Sequence, residues 1–389
     1  MATRDTSNVA GRKYDVADVI ALLDIGRYPL LGILTSVKGE DPVSKQKKSL
    51  KKKETIDPEF KWFEDAFGTR EGTTATGQTG KNIAAELTVD VAAGTGVNFS
   101  VDDVIKFTAS GYTFVVKTVA TDTLTLKAEL GGATGTVDLS SLTVWIIGNA
   151  NAEGAGLREI KGTTSVEKVG YCQIFRTPFG VTETSKATKT FIKENDFDYQ
   201  RRKKGIEHAI DIERAFLFGK KAKITGSNGK PQRFTGGIIP QITTYATANV
   251  DTEAEFETFL EDAFRHGNTE KYALASASFI SQINLWAKNK VTIVQSEKTY
   301  GVQIVRYISA QGTLNLIKHE LLTGTTYGNY CVVLDMEAIT YRFLTGRDTK
   351  LITDRQDNGA DEKIEEYLSE VGLQFEQESR HAIASKASL

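Results

Sequence analysis

The chain has 389 residues, 40% hydrophobic and 25% charged, with 48 Lys plus Arg against 50 Asp plus Glu for a net charge of −2. Those proportions suit a soluble globular protein with material for two or three domains, and they exclude a chain that wraps nucleic acid tightly, which shows a basic excess. The only cysteines, Cys172 and Cys331, lie far apart, which excludes a disulfide framework and a cysteine zinc site and suits a reducing cytoplasm.

The opening MATRDTSNVAGRKYD lacks the apolar core of a signal peptide. The most apolar stretch, ADVIALLDIGRYPLLGIL, carries Asp18, Asp24 and Arg27, so no membrane span is expected. Residues 1–55 read as an arm: a short helical patch (Val16, Val19, Ile20, Leu23), a Gly-Pro-rich stretch, then SKQKKSLKKKE. That last piece holds six lysines in nine residues, Lys45, Lys47, Lys48, Lys51, Lys52 and Lys53. Such density holds a segment extended by self-repulsion. It reads either as a solvated linker or as a local contact with nucleic acid or an acidic neighbouring subunit.

IDPEFKWFEDAFGTREGTTATGQTG starts strand-like, with Phe60, Trp62 and Phe63, and dissolves into Gly and Thr. Within it, GTTATGQTGKN (72–82) imitates a phosphate-binding loop, but Ala75 stands where the first Gly should be and Asn82 replaces the hydroxyl that binds magnesium. No strand leads directly into Gly80-Lys81, so a Gly/Thr-rich tip on a long excursion is the better reading. From 87 to 147, short runs (VIKFTAS, YTFVVKTVA, TLTLKAEL, LTVWIIG) separated by turn pairs predict a small all-β insertion, with a hairpin in VIKFTASGYTFVV.

The clearest helix spans 196–221. Ile206, Ala209, Ile210, Glu213, Phe216 and Leu217 share one face, and QRRKK interrupts the stripe. Asn195 or Asp196 can cap its start, and Lys220 and Lys221 suit the negative end of its dipole. Gly205 is a mid-helix cost of about 1 kcal/mol and a place to bend. Residues 226–340 alternate helix (EAEFETFLEDAFRHG, ASFISQINLWAKNK) with strand (YALAS, GVQIVRYIS, LNLIKH, NYCVVLD), an α+β domain with its own core. The end reads as long strands with a Gly-marked turn. Alternating charge predicts an exposed edge for the last run, with KIEEYLSE as a solvated face.

The sequence offers no constellation for catalysis. His208, His266, His319 and His381 stand alone, and no nucleophile elbow is present. From Asp354, DRQDNGADEKIE places Asn358, Gly359 and Glu365 at positions five, six and twelve of a calcium loop, but Gln356 falls at position three and the flank reads as strand. A turn between strands is expected there, with no metal and no cofactor.

Four local patterns, in order, carry a resemblance: FKWFEDAFG with REG; NAEGAGL followed by VGYCQIFRTPFGVTETSKA; DIERAFLFGKK with FTGGI; and CVVLDMEAITYRFL through EEYLSEVGLQFEQESRHAI. Spanning about 60 to 385, they resemble the major capsid proteins of tailed bacteriophages, of the Hong Kong 97 fold. The β insertion at 87–147 goes beyond the minimal fold. The resemblance implies an α+β fold divided as follows: an N-terminal arm (1–55), an extended loop (56–86 and 148–170) carrying the insertion, a peripheral domain (171–225 and 341–389) with the spine helix, and an axial domain (226–340).

It further implies a non-catalytic subunit that self-assembles into pentamers and hexamers of a head shell enclosing DNA, made in the host cytoplasm and located in the virion. Interface residues would lie along the arm, loop and helix: Lys47, Lys48, Lys51, Lys52, Lys53, Trp62, Phe63, Glu64, Asp65, Arg70, Arg201 and Arg202. Partners would be other copies, a portal protein, a separate scaffolding protein (the arm starting almost at Met1), a decoration protein, and packaged duplex DNA held loosely. A tail or decoration protein is the alternative suggested by the β module, and a nucleotide-binding enzyme using 72–82 is the more distant one.

Overall fold

The computed structural model describes residues 29–35, 39–40, 47–48, 52–162, 164–188, 196–286, 291–292 and 304–387. The helical patch expected around Val16–Leu23, Lys45, Lys51 and the capping position Asn195 lie outside the described residues. Two compact units emerge, one formed by 63–167 and the other by the chain on either side of it.

Residues 63–167 form a β-barrel. Strands Glu71–Thr73, Thr143–Asn149, Asp103–Phe107, Thr113–Ala120, Thr123–Leu126 and Leu87–Asp90 pair in that spatial order. The sheet closes on itself where Thr74 bridges Val91, with Ala92 N donating to Thr73 O (2.7 Å) and Ala75 N to Asp90 O (2.8 Å). Period-two alternation explains the closure: Leu87, Val89, Ile105, Phe107, Leu124 and Leu126 point inward and are buried. Side chains fill so small a barrel, with Phe107 edge-on to Phe114 at 5.5 Å. The predicted hairpin is present as the pairing of Asp103–Phe107 with Thr113–Ala120. Glu71–Thr73 and Lys81–Asn82 join this unit as strands, so the all-β body draws on sequence outside 87–147.

In the other unit the strand Glu362–Phe375 lies at the centre of a five-stranded sheet. Gln173–Thr182 flanks it on one side; Ile339–Leu344 and Lys350–Ile352 flank it on the other. Lys52–Thr55 adds a parallel edge strand beside Ile339–Leu344. The expectation of an exposed edge and a solvated KIEEYLSE face is therefore wrong: Glu365, Glu366, Ser369 and Glu370 are buried. Alternating charge resembles an outward face only until a partner cation lies over each carboxylate.

The long helix, Asp196–Phe218, packs on this sheet through Ile212, Phe216 and Leu217, which meet Tyr341, Val371, Leu373 and Phe375. It continues through Gly205, where a Cβ would stand 3.2 Å from the Tyr367 ring. It ends three residues earlier than predicted. A Cβ on Gly219 would lie 2.4 Å from Ala215 O, and Lys220 and Lys221 fall beyond the last turn. The stretch expected as Gly-Pro-rich chain contains the helix Pro29–Thr35, whose Leu30 and Leu34 are buried in the same core. Pro suits a first helical position because no N–H is needed there.

A seven-stranded mixed sheet runs Ala246–Thr247, Ala382–Ser385, Tyr330–Leu334, Glu270–Ala275, Thr313–Lys318, Ile304–Ile308, Val291–Thr292. The helices Glu253–Ala263 and Ala277–Trp286 pack on it through Phe256, Phe259, Phe279 and Ile283. Thr252 and Glu255 form a capping box, legible in the sequence DTEAE. Ala382–Ser385, expected with the strands after 341, pairs instead with Tyr330–Leu334 in this second sheet.

Candidate assembly interface

A charged seam runs along the central strand and fixes the long helix upon it. Facing the helix, the Glu365 carboxylate receives both arms of the Arg201 guanidinium at 2.8–2.9 Å, with Lys363 Nζ at 3.5 Å. Two turns further along the helix, His208 joins Thr177 Oγ1 (2.9 Å) to Ser369 Oγ (2.7 Å), and burial lowers its pKa. On the opposite face Glu366 is held by Arg176 and Arg355, and Glu370 by Arg347. The Arg176 hydrogen bond holds the Glu366 carboxyl below the usual glutamate range, against desolvation, and Arg355 adds to it. Bidentate guanidinium pairs of this kind supply direction as well as charge neutralisation.

The structure sorts the predicted interface residues by use. Arg201 is engaged within the chain, as above. Lys52 pairs with Asp348, and its ammonium lies over the Tyr341 and Phe343 rings at 5.3 and 5.1 Å. Lys47 and Lys48 lie in a short strand paired with Gly39–Glu40. Trp62 is half-buried and stacks on Phe60 at 6.0 Å. Glu64 is half-buried. Lys53, Asp65, Arg70 and Arg202 are exposed, Arg202 lying 5.9 Å from the Tyr199 ring centre. Phe63 is 69% exposed and Phe67 fully so. Sequence reasoning missed Glu365, Glu366 and Glu370 with Arg176, Arg347 and Arg355. The usable signal was the uninterrupted length of the strand, which marks an interior position.

Within residues 72–82 several amides already donate inside the chain: Thr74 N to Leu142 O, Ala75 N to Asp90 O, and Gln78 N to Ser140 Oγ. Lys81 lies in a strand pair opposite Val137. In the calcium-like stretch, 353–361 joins two strands and Glu365 is committed to Arg201. Among the described residues no group of three or more His, Cys, Asp or Glu could hold a metal, and no helix is long and apolar enough to cross a membrane.

A pH dependence follows from the buried histidines. His381 stacks on Phe375 at 4.2 Å and accepts the Asp335 amide at Nδ1 (3.2 Å); burial and then Lys271 push its pKa down to about 3. An unfolded histidine titrates near ~6.5, so below that pH the unfolded chain takes up a proton the folded one refuses. Stability falls as pH drops through that window, by about 2 kcal/mol at pH 5 for this one group. His208 acts in the same direction, whereas the contribution of Glu366 is lost only below the ordinary glutamate range. The melting temperature of the purified protein should be lower at pH 5.0 than at 7.5, and His381→Gln should flatten that slope. Equal melting temperatures would contradict a neutral buried His381.

Comparison with known proteins gives the chain a family. The family model of the SU10 major capsid protein matches residues 2–388. The chain is 25% identical over 245 residues to the major capsid protein of Pseudomonas phage PaMx41, covering 59% of this chain and 58% of that relative's length. Among solved structures it is similar to the capsid of a native GTA particle (7% identity, 98% and 97% of the chains, TM-score 0.48). A second is that of Microbacterium phage Oxtober96 (8% identity, 98% and 96%, TM-score 0.46). The α+β class expected from the sequence is the one observed, with the long helix on the first sheet, a second sheet domain and a β-barrel between 63 and 167. Matched from residue 2 to residue 388, the chain belongs to the SU10 major capsid protein family.

Proposed function

We propose that this protein is the non-catalytic shell subunit of a tailed-phage head, built on the Hong Kong 97-like plan and assembling into pentamers and hexamers around duplex DNA. The family match across 2–388 carries the reading. The domain roles follow the sequence division: arm, extended loop with its barrel, peripheral domain on the long helix, and axial domain on the seven-stranded sheet. A head subunit must pass load between neighbours, and the helix clamped to its sheet by Arg201–Glu365 suits that task.

Contacts with neighbouring copies are assigned to the exposed members of the predicted set, Lys53, Phe63, Asp65, Arg70 and Arg202, together with Lys47, Lys48, Lys51, Trp62 and Glu64. Lys52 and Arg201 act within the subunit. A portal, a separate scaffolding protein and a decoration protein complete the partner set, with the virion capsid as the location and the host cytoplasm as the place of assembly. Extended contacts suit such a shell, because many interfaces of roughly 1,600 Å² sum over each subunit.

Negative-stain electron microscopy of the expressed protein, alone and with neighbouring phage genes, tests the proposal. Rings of five or six or closed shells are expected, and only dispersed particles under both conditions would count against it. In the same assay, Lys47, Lys48 and Lys51 changed together to Gln should reduce particle yield at low salt. An unchanged yield would make that run a solvated linker.

A further inference from the structure

Residues 219–236 contain Lys220, Lys221, Lys223, Lys230 and Arg233 and no acidic residue. With five positive charges in these eighteen residues, the other 371 carry a net charge of −7. The segment folds as the hairpin of Ala222–Thr225 with Pro231–Phe234, directly after the long helix. Register sets Lys223 opposite Arg233, an unfavourable pairing of like charges. Glu59 relieves it by accepting from both, and Lys223 is the larger cause of its lowered pKa.

The remaining cations are left outward. Lys220 and Lys230 are exposed, and no carboxylate of the described residues pairs with either. Among the described residues Lys221 reaches a backbone carbonyl, Val169 O at 3.2 Å, and no carboxylate. The tip is nonetheless fixed: Gly226 N donates to Lys230 O (2.8 Å), Gly229 N to Gly226 O (2.9 Å), and Lys230 N to Asn228 Oδ1 (3.0 Å). Gly229, at φ +73°, takes the left-handed position that this turn requires.

We infer that this hairpin is where the subunit meets the phosphate backbone of duplex DNA, without reading sequence. The inference rests on the shell reading proposed above. The side-chain chemistry favours phosphate over a protein partner. Protein interfaces concentrate aromatic residues and are depleted in Lys, whereas this tip offers Lys, Ser, Asn and Gly, the groups that meet phosphate oxygens. A contact of so few cations on an otherwise acidic chain is loose and readily weakened by salt. A head that must release its DNA needs that property.

The test is fluorescence anisotropy of a labelled 20-base-pair duplex titrated with the full-length protein across a salt series. Each phosphate contact contributes about 0.9 to the slope of log affinity against log salt. Lys220→Gln with Lys230→Gln should lower affinity about tenfold at low salt and reduce the slope by about 2. The control, Lys106→Gln with Lys350→Gln at exposed strand positions, should leave both unchanged. Equal losses from both pairs, or none from the hairpin pair, would overturn the assignment.

Electron microscopy of the same preparations separates the two readings. A hairpin variant that binds duplex normally but fails to form particles would give the surface to an acidic face of a neighbouring copy instead. Hairpin-dependent duplex binding by a wild type that never forms particles would leave the phosphate contact standing and defeat the shell reading.

Discussion

Replacing Glu213 with Leu should lower unfolding free energy by about 3–5 kcal/mol, the largest single-residue effect expected outside the apolar core. Glu213 sits on the long helix and is fully buried. Its Oε1 accepts Leu30 N at 2.8 Å and its Oε2 accepts Leu31 N at 2.7 Å, both from the first turn of the helix Pro29–Thr35. The third partner is His319, whose Nε2 lies 2.8 Å from Oε1. Leu321 N donates to His319 Nδ1 at 3.1 Å, so Nε2 is the nitrogen that carries the proton toward Glu213. One carboxylate thus ties together three segments remote in sequence. Leucine fills the space but leaves three donors facing apolar surroundings, each costing about 1–3 kcal/mol when unpartnered. Glu213→Gln keeps one acceptor oxygen and should lose less. Denaturant unfolding of the purified protein decides it, and a Leu variant within 1 kcal/mol of wild type, the bound set by this estimate of about 3–5, would refute the anchor.

Arg201→Met should cost about 3 kcal/mol, because it strands the Glu365 carboxylate in the interior. The methionine keeps most of the aliphatic stem, so the loss reads the guanidinium rather than packing. Lys363 at 3.5 Å offers partial relief and holds the value toward the lower end for a broken buried pair. The informative variant is the double one. Arg201→Met with Glu365→Met removes both charges and should recover most of the lost stability, since a buried ion pair replaced by apolar groups is often neutral. If the double variant is as unstable as the single, the defect lies in packing and the charge argument fails.

Much of the architecture is legible in the primary sequence, for reasons that are local. Period-two apolar positions in VIKFTAS and TLTLKAEL are enough to place strands with one buried face. The stripe Ile206, Ala209, Ile210, Glu213, Phe216 and Leu217 is enough to place a long helix. The capping box before Glu253 depends on residues three apart. The order of four local patterns resembles that of tailed-phage major capsid proteins, and the family match agrees.

Other features depend on residues that meet only in space. The sequence EEYLSE does not say that Arg176, Arg201, Arg347 and Arg355, up to about 190 positions away, will cover its carboxylates. Without those partners the run reads as solvated; with them it becomes the centre of a sheet. Glu213 looks like a flaw in an apolar stripe until Leu30, Leu31 and His319 arrive around it. The barrel closes through one bridge between Thr74 and Val91, residues that belong to different local patterns. Periodicity along a chain determines which side of each element is apolar. What lies against that side, and whether a charge there is solvated or paired, is decided only when distant segments compete for the same buried volume.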